Sequence, residues 1–259
     1  MADNRHVTLK LENVSKSFAK VETDGVTHAL DNVSVTMESG EFISLVGPSG
    51  CGKSTILRLV TALIPPTAGK VTVNGEEVTE PSPNRGMVFQ KPTLFPWLTV
   101  EKNIGFSLQV QGKLKENQHK VDRMLKVIGL ESFRNDYPAQ LSGGMAQRVA
   151  LARTLISEPE ILTLDEPLGA LDAFTRMNMQ DEILDIWKER KQLALMVAHD
   201  VDEAIYMGTR VLVMDANPGR IVADIKIPDA YPRDRSSESF VKYRNEILNK
   251  LHFGGKHEE

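Results

Sequence analysis

Residues 47–54 read Gly-Pro-Ser-Gly-Cys-Gly-Lys-Ser and fit the pattern G-x-x-x-x-G-K-[ST]. The apolar run at residues 42–46 is typical of a buried strand, and apolar residues at helical spacing follow over residues 56–63 until Pro65. A glycine-rich turn between a strand and a helix lets backbone N–H groups and the helix N-terminus face an anion. The stretch therefore predicts a loop that binds nucleotide phosphates, and a plain glycine turn is the alternative.

Three side chains of this stretch have expected roles. We expect Lys53 to bridge the β- and γ-phosphates and Ser54 to ligate Mg²⁺. Cys51 precedes the helix beside Lys53, where the helix dipole and the neighbouring charge favour a thiolate. We therefore expect a reactive thiol that MgATP protects, and the alternative is a small residue that fills a variable loop position.

A second motif places two carboxylates at the end of an apolar strand, in Ile161-Leu162-Thr163-Leu164-Asp165-Glu166. Asp165 would hold the metal ion and Glu166 would act on water. Acidic residues also cap helices that follow strands, so this motif alone is ambiguous. Together with the glycine loop it indicates a P-loop NTPase. That class includes small-molecule kinases, GTPases, helicases and transport ATPases.

Length and composition limit the class of protein further. A chain of 259 residues with 41% hydrophobic residues can bury a full core. The formal net charge of -4 and the absence of a global basic field argue against a nucleic-acid partner. We expect no signal peptide and no transmembrane helix, because charge, Gly or Pro interrupts every long apolar stretch. The single cysteine fits a reducing compartment.

The order of the predicted elements favours an α/β fold. Residues 7–46 show strand patterns, residues 92–157 are mostly helical, and strands alternate with helices from residue 161 onward. Such alternation predicts a largely parallel sheet covered by helices. Asn217-Pro218-Gly219 predicts a hairpin turn, and an amphipathic helix near residues 240–251 closes the pattern.

A third motif distinguishes among the kinds of P-loop NTPase. Residues 141–148 read Leu-Ser-Gly-Gly-Met-Ala-Gln-Arg. Two glycines at the start of a helix expose a second helix N-terminus, which needs a ligand from outside its own phosphate loop. This segment resembles the signature motif of ATP-binding-cassette (ABC) ATPases, and the resemblance runs from about Leu9 to Met214 with six motifs in the order of that family.

Four further residues match positions of that family. Phe18 matches the aromatic residue that stacks on adenine, and Gln90 the glutamine that links the nucleotide site to the membrane partner. Asp172 matches the D-loop aspartate, and His199 the switch histidine. The alternatives are a core aromatic at a strand end for Phe18, a solvated loop residue for Gln90 and a histidine without a role at the site for His199.

The resemblance implies a RecA-like P-loop NTPase core of α/β class, with an antiparallel β subdomain and an inserted α-helical subdomain. We expect one ABC ATPase domain over residues 1–259. The core and β subdomain would occupy about residues 1–90 and 158–230, the helical subdomain about 91–157, and a C-terminal helix and tail about 231–259.

The resemblance also implies that two identical or related subunits dock head to tail around two MgATP. Glu166 would polarise the attacking water, with Gln90, His199 and Lys53 assisting, and Ser54, Gln90 and Asp165 would ligate Mg²⁺. The positions expected to contact ATP are Phe18, Gly47, Ser49, Gly50, Cys51, Gly52, Lys53, Ser54, Thr55, Gln90, Asp172 and, from the second subunit, Ser142, Gly143 and Gly144.

Three stretches, residues 95–100, 166–172 and 217–221, look like the nitrate, sulfonate and taurine importer branch. That branch implies multispanning permease subunits as partners, a solute-binding protein acting indirectly, and a peripheral location on the cytoplasmic face of the membrane. Ala146, where the branch often has glutamine, and the polar stretch 19–28 depart from its pattern. The alternative is a soluble ABC ATPase that acts on ribosomes or DNA.

The segment Leu94-Phe95-Pro96-Trp97-Leu98 follows Gln90 closely and places two large aromatics beside a proline. An apolar surface patch here could receive a short helix of a membrane subunit. The alternative is that Phe95 and Trp97 pack inside the helical subdomain. A module that holds ATP without turnover is a further alternative, against which Lys53 and Glu166 argue.

Overall fold

The structure is a computed structural model that describes residues 6–19 and 25–251. Its strands are β1 (Thr8–Ala19), β2 (Val26–Glu38), β3 (Phe42–Val46), β4 (Ala68–Val73), β5 (Glu76–Glu77), β6 (Arg85–Val88), β7 (Ile161–Asp165), β8 (Leu193–Val197), β9 (Arg210–Asp215) and β10 (Arg220–Lys226). Its α-helices are α1 (Lys53–Val60), α2 (Val100–Ile104), α3 (Phe106–Val110), α4 (Gln118–Val127), α5 (Gly143–Leu155), α6 (Ala173–Arg190), α7 (Val201–Met207) and α8 (Glu238–Lys250). The predicted α/β class and the predicted helical stretch are confirmed.

The described residues form two compact units. The first unit combines the chain up to residue 81 with the chain from residue 191 onward, and the second unit is residues 82–190. The second unit contains β6, β7 and α6 as well as the helices of residues 91–157. The subdomain boundaries expected from the sequence stay a prediction.

Two sets of strands build the first unit. One is an antiparallel sheet of order β2-β1-β4-β5, which is the predicted β subdomain. In the other set, β3 pairs in parallel with β8 on one side and with β9 on the other, and β10 returns antiparallel to β9 through the predicted Pro218 turn. Every residue of β3 and β8 is buried, as expected for parallel strands that are covered on both faces.

The end of α1 differs from the expectation. The apolar spacing predicts a helix through Leu63, but α1 ends at Val60 with Thr61 as its C-cap. Ala62 has a φ of 56°, in the left-handed region. That backbone conformation ends the helix before the proline pair does, because a left-handed residue cannot continue a right-handed helix.

The second unit pairs β6 and β7 in parallel and surrounds them with helices. All five residues of β7 are buried, so the strand carries Asp165 at its carboxyl end out of a fully covered core. Helix α5 begins directly after the N-cap Ser142. Candidate residues of this unit therefore project from the carboxyl end of β7 and from the N-terminus of α5.

A search of the described helices for a segment long and apolar enough to cross a membrane finds none.

Candidate functional site

The glycine loop joins β3 to α1 in the first unit, as the sequence predicts. Gly52 is the N-cap of α1 with φ 91°, a conformation that favours glycine. A Cβ at Gly52 would lie 2.5 Å from Leu30 Cδ2, whereas a Cβ at Gly50 would meet no described atom within 4 Å. One glycine thus lets the loop pack closely on the first unit, and the other leaves an open face that an anion can approach.

The charges around this loop suit a phosphate ligand. The Lys53 ammonium donates hydrogen bonds to the carbonyls of Gly47 at 2.7 Å and Pro48 at 3.0 Å, so it lies across the loop. Helix α1 has no acidic residue in its first turn, and Ser54 and Thr55 are half-buried in that turn. The helix N-terminus and the ammonium therefore present positive charge without a carboxylate that would oppose an anion.

The expected reactivity of Cys51 is wrong. Cys51 is buried, and its Sγ lies where a Cβ on Gly47 would come within 2.8 Å of it. Burial raises the pKa of the Cys51 thiol, although Lys53 acts in the opposite direction. Desolvation of the charged form outweighs the local helix dipole and ammonium. Only the backbone of Cys51 remains a candidate for contact with phosphate.

The second unit brings Gln90 and Glu166 together. Gln90 Nε2 donates a hydrogen bond of 2.8 Å to Glu166 Oε2, across 76 residues of sequence. Glu166 is half-buried and has a φ of 45°, a left-handed conformation that costs a glutamate about 1 kcal/mol or more. A carboxylate that an amide orients, on a backbone held in a left-handed conformation, is an arrangement that can polarise a water molecule.

Asp165 precedes this glutamate and is only 5% exposed at the end of β7. Among the described residues no group of three or more His, Cys, Asp and Glu side chains is arranged to hold a metal ion. Mg²⁺ commonly binds through one or two carboxylates together with substrate phosphates and water. The carboxylate of Asp165 is an oxygen donor of the kind that this mode of binding uses.

The helix start at residues 142–144 has the open surface that an outside ligand requires. Ser142 caps α5 by accepting a hydrogen bond of 3.3 Å from the Met145 N–H. A Cβ at Gly143 would meet no described atom within 4 Å, and Gly143 does not have a positive φ. Neither packing nor backbone conformation within the chain thus requires glycine at this position.

The remaining predicted residues lie at exposed positions. Phe18 is exposed at the end of β1 with the Lys16 ammonium 5.1 Å from its ring centroid, so it is not a core aromatic. Asp172 caps α6 by accepting a hydrogen bond of 3.0 Å from the Thr175 N–H, and backbone hydrogen bonding lowers the pKa of Asp172. His199 is exposed, and its backbone N–H donates to Glu203 Oε2 at 2.7 Å.

The family profile described as ABC transporter matches residues 30–169. This match covers more than half of the chain and includes the glycine loop, the signature segment and both carboxylates. The chain belongs to the ABC transporter family.

Relatives of this ABC ATPase subunit match it over nearly their whole length. The aliphatic sulfonates import ATP-binding protein SsuB of Bacillus cereus is 43% identical over 251 residues, which cover 96% of this chain and 98% of that protein. The uncharacterized ABC transporter ATP-binding protein MJ0412 of Methanocaldococcus jannaschii is 48% identical over 251 residues, covering 96% of this chain and 93% of that protein.

A solved structure supports the same ABC ATPase fold. It is a dimeric structure of the ATP-binding cassette MJ0796 in a post-hydrolysis state, bound to ADP and Pi. The similarity has a TM-score of 0.76 with 32% sequence identity, and it covers 86% of this chain and all of that chain. The predicted fold is thereby confirmed.

Sequence reasoning missed residues that support the ABC ATPase site. Gln147, in the signature segment, is buried and donates a hydrogen bond of 3.1 Å to the Phe89 carbonyl, next to Gln90. Glu203 holds the backbone of His199 and belongs to an Asp-x-x-Glu pattern that begins at Asp200. That helix-start pattern was a usable signal in the sequence, whereas the contact of Gln147 depends on the fold.

An apolar groove with a cationic side lies in the second unit beside the segment 94–98. Its volume is about 510 Å³, and its lining includes Met87, Phe95, Phe106 and Arg153. The ring centroids of Phe95 and Phe106 are 4.4 Å apart, and the Arg153 guanidinium lies 5.1 Å from the Phe95 centroid. Trp97 is 70% exposed next to Phe95, so it does not pack inside the helical subdomain.

A buried asparagine builds the loop that presents these aromatics. Asn103 Oδ1 accepts a hydrogen bond of 2.9 Å from the Phe95 N–H, and its amide donates to the carbonyls of Phe95, Leu98 and Thr99. The accepted hydrogen bond and the three carbonyl contacts of this buried amide together fix the backbone on both sides of Trp97. The exposed tryptophan is therefore held by a rigid loop.

Proposed function

We propose that this chain is the hydrolytic subunit of an ABC importer, in which Glu166 polarises the attacking water. The hydrogen bond from Gln90 to Glu166 carries this assignment, because it orients a carboxylate that the backbone already holds in a strained turn. Lys53, with the backbone of residues 47–55, would bind the phosphates of ATP. His199 would donate a hydrogen bond to the γ-phosphate, and Phe18 would stack on the adenine.

Mg²⁺ would be held by Ser54, Asp165 and Gln90, where it neutralises charge on the phosphates. Asp165 reaches its position from a fully buried strand, so its carboxylate is held by a rigid element. Gln90 Nε2 already donates to Glu166, and its amide oxygen is the ligand atom that this role requires.

The second proposal is a head-to-tail dimer in which residues 142–144 bind the ATP held by the partner subunit. A backbone that is open at Gly143, without any need for glycine within the chain, supports an outside ligand at this position. Asp172 would lie in the D-loop between the two ATP sites, where its carboxylate caps α6. The sequence leaves open whether the two ATPase subunits are identical.

The third proposal is that a short helix of a permease subunit docks in the groove beside Trp97. Apolar rings on one side would receive the apolar face of the helix. Burial lowers the pKa of Arg153, and its Nη1 has no hydrogen-bond partner among the described residues. A desolvated guanidinium favours an acidic group on the incoming helix. This docking implies a peripheral location on the cytoplasmic face of the membrane.

We propose small organic anions of the sulfonate class as the imported solutes. The support is the 43% identity to an aliphatic sulfonate import protein over nearly the full length of both chains. The ATPase subunit would not contact the solute, which a solute-binding protein would deliver to the permease.

The test is uptake by cells from which this chain has been deleted. Uptake of a labelled alkanesulfonate should be lost, should return with the wild-type chain and should not return with Glu166→Gln. Uptake of a labelled cationic amino acid in the same cells is the matched control and should not change.

Three outcomes would contradict separate parts of the proposal. Unchanged alkanesulfonate uptake after deletion would contradict the solute class. Full restoration by Glu166→Gln would contradict the role of the glutamate. Affinity purification of the chain from native membranes should recover a multispanning subunit, and recovery of ribosomal proteins in its place would contradict the transporter.

A further inference from the structure

The C-terminal segment, residues 229–251, contacts both ends of the short helix α7, which begins two residues after His199. We propose that this segment, which we name the C-terminal clamp, positions His199 for ATP hydrolysis by holding α7, with Arg244 as the main positioning residue. The inference rests on the role proposed above for His199.

Helix α7 depends on outside partners because of its length. It has seven residues, and an isolated helix this short is unstable in water. Its last turn leaves backbone carbonyls without partners inside the helix. The helix therefore takes its position from whichever groups bond to its two ends.

The clamp supplies the groups at the C-terminal end of α7. Arg233 is buried, and its guanidinium donates to the carbonyls of Ile205 and Gly208, the latter at 2.5 Å. The Tyr231 hydroxyl donates to the Met207 carbonyl at 2.5 Å. Burial raises the pKa of Tyr231 to about 12, so the hydroxyl remains a donor through the physiological range.

The clamp also supplies an ion pair at the N-terminal end of α7. Arg244, on α8, donates through Nε at 2.5 Å and through a terminal nitrogen at 2.6 Å to the two oxygens of Asp202. This two-bond fork fixes the direction of the first turn as well as its distance from α8. The Arg244 guanidinium also lies over the ring of Phe240, which is buried on the same helix.

The first turn of α7 passes this position on to His199. Asp200 accepts a hydrogen bond of 2.7 Å from the Glu203 N–H, and Glu203 Oε2 accepts one of 2.7 Å from the His199 N–H. The imidazole itself makes no hydrogen bond to the part of the chain that the structure describes. Two groups fix the backbone of His199: the hydrogen bond of 3.1 Å from the Ala198 N–H to the Leu45 carbonyl on the β8 side, and the bond to Glu203 on the α7 side. A shift of α7 would therefore move the imidazole through the second of these bonds.

The experiment compares Arg244→Gln with Lys242→Gln in the purified full-length chain. Both substitutions remove one positive charge from α8, but Lys242 is exposed and forms no ion pair with the described residues of α7. We expect Arg244→Gln to lower kcat for ATP about 10-fold, because small misplacements at a reacting centre have large effects on rate. KM should change less than about 2-fold. Lys242→Gln should match the wild type, and Arg244→Lys should lie between them.

A double variant separates positioning of His199 from a general loss of structure. In the His199→Ala background, Arg244→Gln should cause no further loss of kcat, because both changes affect the same step. Hydrogen exchange over residues 198–204 should be faster in Arg244→Gln than in Lys242→Gln.

The outcomes distinguish this inference from the function on which it rests. An equal loss of kcat from Arg244→Gln in both backgrounds, or unchanged exchange over residues 198–204, would overturn the clamp as a positioning element. Wild-type turnover by His199→Ala alone would instead contradict the role proposed for His199. In that case the clamp would have no effect on ATP hydrolysis through this residue.

Discussion

Replacing Trp97 with alanine should leave the chain folded and remove its binding to the membrane subunit. Trp97 is 70% exposed, so about three-tenths of its side chain is buried. Truncation of a buried tryptophan costs about 3–5 kcal/mol, and three-tenths of that cost is about 1 kcal/mol. A loss of this size lowers the Tm of a chain of this length by about 2–4 °C.

Phe95→Ala provides the internal comparison, because Phe95 is half-buried. Its ring lies 4.4 Å from the Phe106 centroid and under the Arg153 guanidinium. Half of the free-energy cost of truncating a fully buried aromatic residue, together with the loss of an aromatic pair, amounts to about 2–4 kcal/mol of stability. We therefore expect the Tm of Phe95→Ala to fall by at least about 4 °C.

The assay measures the Tm of each isolated variant and its co-purification with the membrane subunit. Val110→Ala is the matched control, since Val110 is 71% exposed in the same unit and does not line the groove. Trp97→Ala should lose most of the co-purifying subunit, whereas Val110→Ala should retain it. ATP hydrolysis by the isolated Trp97→Ala chain should equal that of the wild type.

Two results would refute this reasoning. A fall in Tm of more than about 8 °C for Trp97→Ala would mean that the tryptophan stabilises the fold far more than its exposure allows. Undiminished co-purification with an unchanged Tm would mean that the membrane subunit binds elsewhere.

The remaining predictions concern the nucleotide site. Glu166→Gln should keep ATP binding, slow turnover by about 10²–10⁴-fold and accumulate ATP-dependent dimers; gel filtration that finds the variant no more dimeric than wild type would contradict this. Lys53→Ala should weaken ATP binding itself in a calorimetric titration, and equal affinity would count against the phosphate loop. Burial raises the pKa of Cys51, so its thiolate fraction at pH 7 is below that of a free cysteine. Alkylation should therefore be slow and should accelerate as the pH rises; labelling at the rate of a model peptide thiol at pH 7 would contradict burial.

The amino-acid sequence by itself determined the elements whose signals are local. The glycine loop between β3 and α1, the carboxylates at the end of β7 and the start of α5 each depend on residues within about ten positions of one another. Hydrophobic period, helix capping and turn formation act over such distances, so the pattern of side chains suffices to predict them. The family and the fold class followed from the order of these local motifs.

Only the tertiary structure decided which side chains meet and which are removed from water. Gln90 and Glu166 are 76 residues apart, and no local rule predicts their hydrogen bond. Local charges predicted a thiolate at Cys51, but burial by distant parts of the chain raised its pKa. The contacts of the C-terminal clamp with α7 and the exposure of Trp97 also depend on tertiary packing. Desolvation and long-range contacts depend on every element packed around a residue in space. The residues adjacent in sequence do not determine that packing.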